Sequence, residues 1–423
     1  MRGGKVSVGR YRKAAALAAT LVVAGGMAAA PAYAGPGDAD APVGIAAAGD
    51  CPSPAKDVPG TPWALQRVLL DQVWQDGRVT GAGVLVAVID TGVDNTNPQL
   101  ATAGKVVDGG SLLRDKDKKV VEGNGLNDLV GHGTKVAGII AASPSTATGF
   151  VGLAKDARIL AIRQNDSEGN GDVGSLVTAI QKAIDLGAKV INISQDVRAD
   201  KDDGTFGGYD ELKTAIEKAE NAKVVVVASS GNDGKEGPTY PAAFPTVLAV
   251  GASNRNNERA DFSQYGDFVD IAAPGVDMLS TVPRSGQCLD NGTSFSAPYV
   301  AGVAALLVGE HPDWKPDQVR ARIEQTAQRT GHGPDRFVGW GVVDPLKAVA
   351  PTVASPAPSV AVTDRPQPLA ASGIVPQPLG LAETQSDRDR RTATFVLAIG
   401  ALLVALLGGG AVVLRDHRRR AGI

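Results

Sequence analysis

Short runs of valine and isoleucine alternate with helix-like stretches along most of this chain, and this alternation leaves few folds open to it. Six apolar runs predict strands, at residues 84–89, 157–162, 189–193, 223–228, 246–250 and 268–272. The stretches around them predict helices, at residues 132–142, 175–186, 209–221, 294–309 and 316–328. Nearly continuous apolar strands separated by helices are typical of a mainly parallel sheet with helices on both faces. We therefore expect one α/β domain over residues 62–350.

Three short strings in this domain each offer a residue used in nucleophilic catalysis. Asp90 lies in Val-Ile-Asp-Thr-Gly, His132 in Gly-His-Gly-Thr, and Ser294 in Asn-Gly-Thr-Ser-Phe-Ser-Ala-Pro. A serine hydroxyl is a weak nucleophile at neutral pH, so it needs an imidazole to take its proton and a carboxylate to hold that imidazole. Each string alone would indicate only a turn, a loop or a helix start. Together, in the order Asp, His, Ser, they predict a catalytic triad.

Asn232 lies in a fourth string, Ser-Ser-Gly-Asn-Asp-Gly, just after the strand predicted at residues 223–228. Alone, this string would indicate a Gly-Asn turn. Acyl transfer places negative charge on a carbonyl oxygen, and a fixed amide donor aimed at that oxygen lowers the barrier by about 2.7–4 kcal/mol. The N–H of Ser294, at a predicted helix N-terminus, would be a second donor. We expect Pro298 in the first turn of that helix, where a missing N–H has little effect.

Both ends of the chain predict segments outside the α/β domain. Residues 1–34 combine basic residues, an apolar stretch and a final Ala-Tyr-Ala, which predicts a secretory signal cleaved after Ala34. Residues 395–414 carry no charge and could cross roughly 30 Å of hydrocarbon as a helix. The alternative for this second segment is a buried core helix.

The C-terminus is predicted to be cytoplasmic, because positive charge favours that side of a membrane and the apolar segment is followed by Arg415, Arg418, Arg419 and Arg420. The catalytic domain would then be extracytoplasmic, held at the cell membrane by a single-pass anchor. An N-terminal arm, a proline-rich linker and a cytoplasmic tail complete the expected division, at residues 35–61, 351–394 and 415–423.

Charge and cysteine content exclude several classes of partner. The formal net charge is −3, and both expected end segments are cationic, so the body between them is more acidic and should repel nucleic acid. Cys51 and Cys288 predict one disulfide in an oxidising compartment, with two free thiols as the alternative. No spacing of cysteine and histidine suits zinc, and the lysines around Asp115 and Asp117 argue against calcium. We expect no metal and no cofactor.

The order of the strings and the residues around them resemble the subtilisin-like serine proteases, over about residues 63–349. The complete layout, with a signal, a cysteine-bearing arm, a linker and one membrane span, is similar to that of the mycosins, membrane-anchored subtilases associated with bacterial type VII secretion. This resemblance implies a serine endopeptidase that processes secreted polypeptides beside the subunits of a membrane secretion complex. The alternative is a structural stabiliser of that complex, with catalysis dispensable. A lipase or esterase is excluded because Ser294 has no Gly-x-Ser-x-Gly string around it.

The resemblance also implies where a peptide substrate binds. Its backbone would pair as an added strand between two edges, one at Gly169 to Gly171 and the other at Ser194, Gln195 and Asp196. Ser229, Ser230 and Gly231 would wall the pocket for the residue before the cut.

The sequence departs from the family at three points. Lys135 stands where many subtilases have a second histidine, and Asp196 stands where a glycine often opens the pocket. An acidic wall would favour basic side chains in that pocket. The arm is too short for the folding propeptide that many subtilases carry, so we expect it to be retained and docked on the domain.

Overall fold

The computed structural model describes residues 41–44, 51–350 apart from 75–76, 78, 115–118, 120, 122, 200–203 and 330, and then 358–361 and 385–420. The expected signal, most of the expected linker, and both Asp115 and Asp117 lie outside these residues. The chain divides after Asp364 into two compact units.

The first unit contains eleven described strands and eight described helices. The strands are β1 (Pro42–Gly44), β2 (Leu85–Asp90), β3 (Val106–Ser111), β4 (Arg158–Arg163), β5 (Asn170–Asp172), β6 (Val190–Ile193), β7 (Val225–Ser229), β8 (Val247–Ser253), β9 (Ile271–Pro274), β10 (Met278–Thr281) and β11 (Gln287–Asp290). The helices are α1 (Trp63–Gln66), α2 (Leu70–Val73), α3 (His132–Ala141), α4 (Val173–Asp185), α5 (Tyr209–Asn221), α6 (Thr293–Glu310), α7 (Pro316–Gln325) and α8 (Pro345–Ala348).

A seven-stranded sheet in the order β3-β4-β2-β6-β7-β8-β9 forms the centre of this unit, and every pair of neighbours in it is parallel. All six predicted strands belong to this sheet. The sequence pattern missed β3, because its Val-Val-Asp-Gly-Gly-Ser lacks a sustained apolar run and it lies at the edge of the sheet. It also missed the two-stranded pairs β1-β5 and β10-β11, which are short and lie outside the main sheet.

Helices cover both faces of the sheet, as the sequence predicted. Val86 and Val88 belong to an apolar cluster with side chains of α3 and α6. Ala87 and Ile89, which alternate with them along β2, belong to a second cluster with side chains of α4 and α5. Because β2 is buried on both sides, its sequence is continuously apolar rather than alternating. The fold class predicted from the sequence is therefore confirmed.

The second unit contains helix α9 (Gln385–Arg420), which includes the predicted span at residues 395–414. Every residue of α9 is exposed, although its central part is strongly apolar. Within the described residues it is the one helix whose length and composition suit a membrane crossing.

Candidate active site

Strand β2 and helix α3 bring the predicted acid and base together. Asp90 is the last residue of β2 and His132 is the first residue of α3, and each side chain is 1% exposed. Nδ1 of His132 lies 2.8 Å from Oδ1 and 3.0 Å from Oδ2 of Asp90. A carboxylate so placed accepts a hydrogen bond from Nδ1–H, which leaves Nε2 as the ring nitrogen able to take a proton.

The glycines on either side of His132 are required by the backbone. Gly131 has a φ of 86°, in the left-handed region that favours glycine. A Cβ on Gly133 would lie 2.0 Å from the carbonyl oxygen of Gly92, so any side chain there would force α3 away from the end of β2. The Gly-His-Gly string thus allows the close approach of Asp90 and His132.

Asp128 supports this pair, and the sequence analysis did not identify it. Its buried carboxylate accepts five hydrogen bonds: Oδ1 from Thr91 Oγ1 and the N–H groups of Val130 and Gly131, and Oδ2 from the N–H and Oγ1 of Thr134. Burial raises the pKa of Asp128 above its ordinary value, and these hydrogen bonds partly offset the rise. Since Thr91 follows Asp90 and Thr134 lies in the first turn of α3, Asp128 joins the two elements that carry the acid and the base.

Ser294 lies in the first turn of α6 and is 4% exposed. Its Oγ donates a hydrogen bond to the carbonyl oxygen of Ser194, over 3.2 Å. Nε2 of His132 is buried and has no hydrogen-bond partner within the described part of the chain. The His132 ring packs against the ring of Phe295, the residue after Ser294, with centroids 5.3 Å apart. The structure thus gathers the base and the serine into one buried cluster, without a bond between imidazole and hydroxyl.

Pro298 lies inside α6 and not in its first turn, so that expectation was wrong. The helix begins at Thr293, one residue earlier than predicted. Pro298 has no N–H to donate to the carbonyl of Ser294, four residues before it. Ser194 Oγ donates to this carbonyl instead, over 2.9 Å. Ser194 and Ser294 therefore exchange two hydrogen bonds, each hydroxyl bonding the carbonyl of the other residue.

Asn232 lies in the loop after β7, beside the start of α6. Its Oδ1 accepts hydrogen bonds from the N–H of Thr293, over 2.8 Å, and from Thr293 Oγ1, over 3.0 Å. These bonds fix the side-chain amide next to Ser294. Its Nδ2 makes no hydrogen bond to the described residues, so this donor remains available to a ligand.

One of the two predicted substrate edges is already paired with the arm. Strand β5, which includes Asn170 and Gly171 of the predicted edge, pairs antiparallel with β1, and Gly171 lies opposite Val43. Val43 is 1% exposed and packs with Val173 and Leu176 of α4. The arm therefore lies along this edge as an added strand.

The other predicted edge, at Ser194 to Asp196, is connected with β5 through side chains. Gln195 Nε2 donates to Gln164 Oε1 over 2.6 Å, and Gln164 Nε2 donates to the carbonyl of Asp172 over 3.1 Å. Gln164, which the sequence analysis missed, thus connects the edge at Ser194 and Gln195 with the end of β5.

The predicted pocket wall, Ser229 to Gly231, faces Asp196. A Cβ built on Gly231 would lie 3.5 Å from Oδ2 of Asp196. Burial raises the pKa of Asp196 to about 6; Arg198 opposes this rise and Asp233 adds to it. An acidic group therefore lines the pocket, and the preference for basic side chains stays a prediction.

Within the first unit, the arm is attached to the α/β domain through a disulfide and hydrogen bonds. Cys51 and Cys288 form the expected disulfide, with their Cα atoms 6.0 Å apart. The N–H of Val58 donates to Gln287 Oε1, and the N–H of Ala41 donates to the carbonyl of Gly207. Because Cys288 lies in β11, the strand that leads to Ser294, the bond ties the arm to the element before that serine.

Comparison with known proteins identifies the family. Residues 81–341 match the model of the subtilase family of peptidases. Thermitase of Thermoactinomyces vulgaris is 39% identical over 284 residues, which cover 67% of this chain and 94% of thermitase. Subtilisin E of Bacillus subtilis (strain 168) is 38% identical over 287 residues, which cover 67% of this chain and 70% of subtilisin E.

The solved structures that resemble this chain include mycosins. MycP1 from Mycobacterium smegmatis superposes with a TM-score of 0.64 at 32% identity, over 76% of this chain and 92% of that protein. The MycP3 protease from the type VII (ESX-3) secretion system superposes with a TM-score of 0.62 at 31% identity, over 74% and 92%. The chain belongs to the subtilase family, as a subtilisin-like serine endopeptidase whose structure resembles those of the mycosins.

Proposed function

We propose that Ser294, His132 and Asp90 form the catalytic triad of this peptidase. Nε2 of His132 takes the proton of the Ser294 hydroxyl as Oγ attacks the scissile carbonyl, and later gives that proton to the leaving amine. Asp90 holds the imidazole in the required tautomer and stabilises its protonated form. Nδ2 of Asn232 and the N–H of Ser294 hold the oxyanion that forms.

The position of His132 Nε2 is the observation that carries this proposal. Asp90 fixes Nδ1, while Nε2 is buried, unbonded and beside the segment that presents Ser294. A buried polar atom without a partner costs free energy, so its retention needs a functional reason. Rotation of the Ser294 side chain away from the Ser194 carbonyl would give Nε2 the partner that the reaction requires.

Labelling with a fluorophosphonate probe tests the assignment. Ser294→Ala should abolish labelling. Ser296→Ala is the matched control, because Ser296 lies in the same helix, is fully buried and donates its own hydrogen bond, to the carbonyl of Pro274. Labelling of the Ser294→Ala protein at the level of the native protein would contradict the proposal.

We further propose that α9 anchors the enzyme in the cell membrane, with the first unit extracytoplasmic, and that the enzyme processes polypeptides of a type VII secretion system. The exposed apolar surface of α9 and the likeness to mycosins support this location and this substrate class. A chain that ends before Gln385 should appear in the soluble fraction, whereas the complete chain should remain with membranes after alkaline extraction. Membrane retention of the shortened chain would contradict the role of α9.

A second function, as a structural stabiliser of the secretion complex, is favoured by the pairing of β1 with β5. This pairing fills an edge along which a substrate would bind. Secretion by a deletion strain that carries the Ser294→Ala protein separates the two functions. Full secretion would support the structural role, and loss of secretion would support a requirement for proteolysis.

A further inference from the structure

Helix α3 carries a buried charged residue, Lys135, close to His132. Lys135 lies one turn after His132 and is 1% exposed. Its Nζ donates to Oδ2 of Asp290 over 2.7 Å, and Asp290 is 6% exposed. A buried ammonium group has a high desolvation cost, so it persists only where a carboxylate and further contacts compensate for that cost.

This ion pair joins two parts of the site that are distant in the sequence. Lys135 lies on the helix of the base, and Asp290 ends β11, just before the loop that leads to Ser294. Oδ1 of Asp290 also accepts a hydrogen bond from the N–H of Asn291, over 2.8 Å, so the same carboxylate holds the start of that loop. Any movement of this loop relative to α3 would separate two buried charges.

Strand β10 is also bonded to α3, through side-chain hydroxyls that donate hydrogen bonds to carbonyls of the helix backbone. Ser280 Oγ donates to the carbonyl of Lys135, and Thr281 Oγ1 donates to the carbonyl of Thr134 over 2.9 Å. A Cβ on Gly138 would lie 2.2 Å from Thr281 Oγ1, so glycine allows this close packing. These bonds align β10 along α3, but they do not reach the loop after β11. The Lys135–Asp290 ion pair extends this alignment to the end of β11, just before the loop that leads to Ser294.

The Phe295 ring completes the connection. Nζ of Lys135 lies 5.9 Å from the centroid of this ring, which is the ring that packs against His132. A cation over an aromatic face is attracted to it. Lys135 therefore interacts both with the last residue of β11, before the loop that leads to Ser294, and with the residue after Ser294.

We propose that Lys135 and Asp290 are positioning residues that set the separation between Nε2 of His132 and Oγ of Ser294. The inference rests on the proposed triad. Neither residue touches the substrate. Their ion pair holds the serine loop against α3, so that the hydroxyl reaches the imidazole when it leaves the Ser194 carbonyl.

The test compares Lys135→Met, Asp290→Asn and the double variant in the full-length protein. A displacement of about 1 Å between reacting groups can reduce a rate on the order of 100-fold. We expect each single variant to slow fluorophosphonate labelling of Ser294 by about 10- to 100-fold per folded molecule, with kcat reduced and KM for a peptide nearly unchanged. Each should also lower Tm, because one charge is left buried without its partner.

The double variant separates positioning from stability. Without either charge, Tm should recover much of the loss, while labelling should stay slow because the link between α3 and the serine loop is still absent. Arg320→Met is the matched control. It removes another ion pair between elements, the Arg320–Glu220 pair of α7 and α5, and should lower Tm without slowing labelling.

Three outcomes would contradict part of this account. Native labelling rates in both folded single variants would overturn the positioning role while leaving the triad intact. A double variant in which labelling recovers together with Tm would also overturn it, because it would show a purely structural pair. Absence of Ser294 labelling in the native protein would overturn the proposed triad, and this inference with it.

Discussion

The side of the site that carries the proposed base, His132, and the side that carries the proposed nucleophile, Ser294, are held in different ways. Asp90 and His132 are joined by two short contacts and supported by a carboxylate with five donors. Ser294 instead bonds a carbonyl that it must leave, and Nδ2 of Asn232 makes no bond to the described residues. In the proposed mechanism the imidazole of His132 must keep one tautomer throughout the reaction, whereas Ser294 and Nδ2 of Asn232 form their main bonds only as charge develops. The difference indicates that rigidity is concentrated on one side.

Asp90→Asn should have the largest effect on the base side. An amide cannot stabilise the protonated imidazole and favours the wrong tautomer, so kcat should fall by about 10⁴-fold with little change in fold. Peptide hydrolysis and circular dichroism measure the two quantities. A loss of kcat below 10-fold would show that His132, held by Asp90, is not the catalytic base.

Asn232→Ala tests the nucleophile side. Loss of one oxyanion donor should reduce kcat by about 10²- to 10³-fold while KM stays nearly constant. Thr293→Val is the control, because it keeps the backbone N–H that bonds Asn232 Oδ1 and removes only the hydroxyl. An equal loss of kcat in both variants would show that Asn232 acts only by holding Thr293 at the start of α6, and not as an oxyanion donor.

Asp128→Asn should loosen the support of Asp90 and His132 without changing either residue. An amide can still accept on one oxygen, but its NH₂ group would face two donors of Thr134. Hydrogen bonds to charged groups are worth about 1.5–3 kcal/mol, so we expect roughly 10-fold lower kcat and a lower Tm. Asp108→Asn is the control, since Asp108 Oδ1 accepts from two backbone N–H groups elsewhere. Equal effects of both changes on kcat would remove the special role of Asp128.

Ser194→Ala should change the reactivity of Ser294 only slightly. It deletes the bond to the Ser294 carbonyl, worth about 0.5–1.5 kcal/mol, but keeps the Ser194 carbonyl that the Ser294 hydroxyl bonds. We expect a two- to ten-fold change in labelling rate. A change above 100-fold would mean that the nucleophile side is as tightly specified as the base side.

The pocket beside Ser294 should respond to pH through Asp196. With a pKa of about 6, this carboxyl is protonated at pH 5 and ionised at pH 7.5. The kcat/KM ratio for peptides with lysine over norleucine before the cut should therefore rise with pH, by about five-fold if the contact is worth about 1 kcal/mol. In Asp196→Asn the ratio should stay flat, and a parallel rise there would exclude Asp196 as its cause.

The sequence predicted the buried strands of the main sheet and the positions of the four strings, because short stretches of residues are enough to identify both. The strands buried on both faces are continuously apolar, and four strings predicted where Asp90, His132, Asn232 and Ser294 lie, although their catalytic roles remain proposals. Strand β3 was missed because glycines and a charge interrupt it, and β10-β11 because both strands are short.

Long-range support was not predictable from the same strings. Lys135 pairs with Asp290, which only the fold brings near, and Thr91 is the one distant donor among the five hydrogen bonds to Asp128. No local pattern distinguishes Asp128 or Lys135 from a surface charge. The position of Pro298 within α6 was also hidden, because the carbonyl it leaves without an N–H donor is bonded by the hydroxyl of Ser194, just after β6.

The disulfide changes how β1 competes at the β5 edge. The polypeptide itself attaches β1 to the domain, and the bond between Cys51 and Cys288, only a few residues after β1, shortens this attachment. A short tether gives its segment an effective concentration on the order of millimolar. If a peptide substrate pairs with this edge as proposed, it must displace β1, whereas a peptide too short to reach the edge does not compete with β1. Peptide length would thus act as a selection filter on substrates, and reduction of the Cys51–Cys288 bond would weaken that filter.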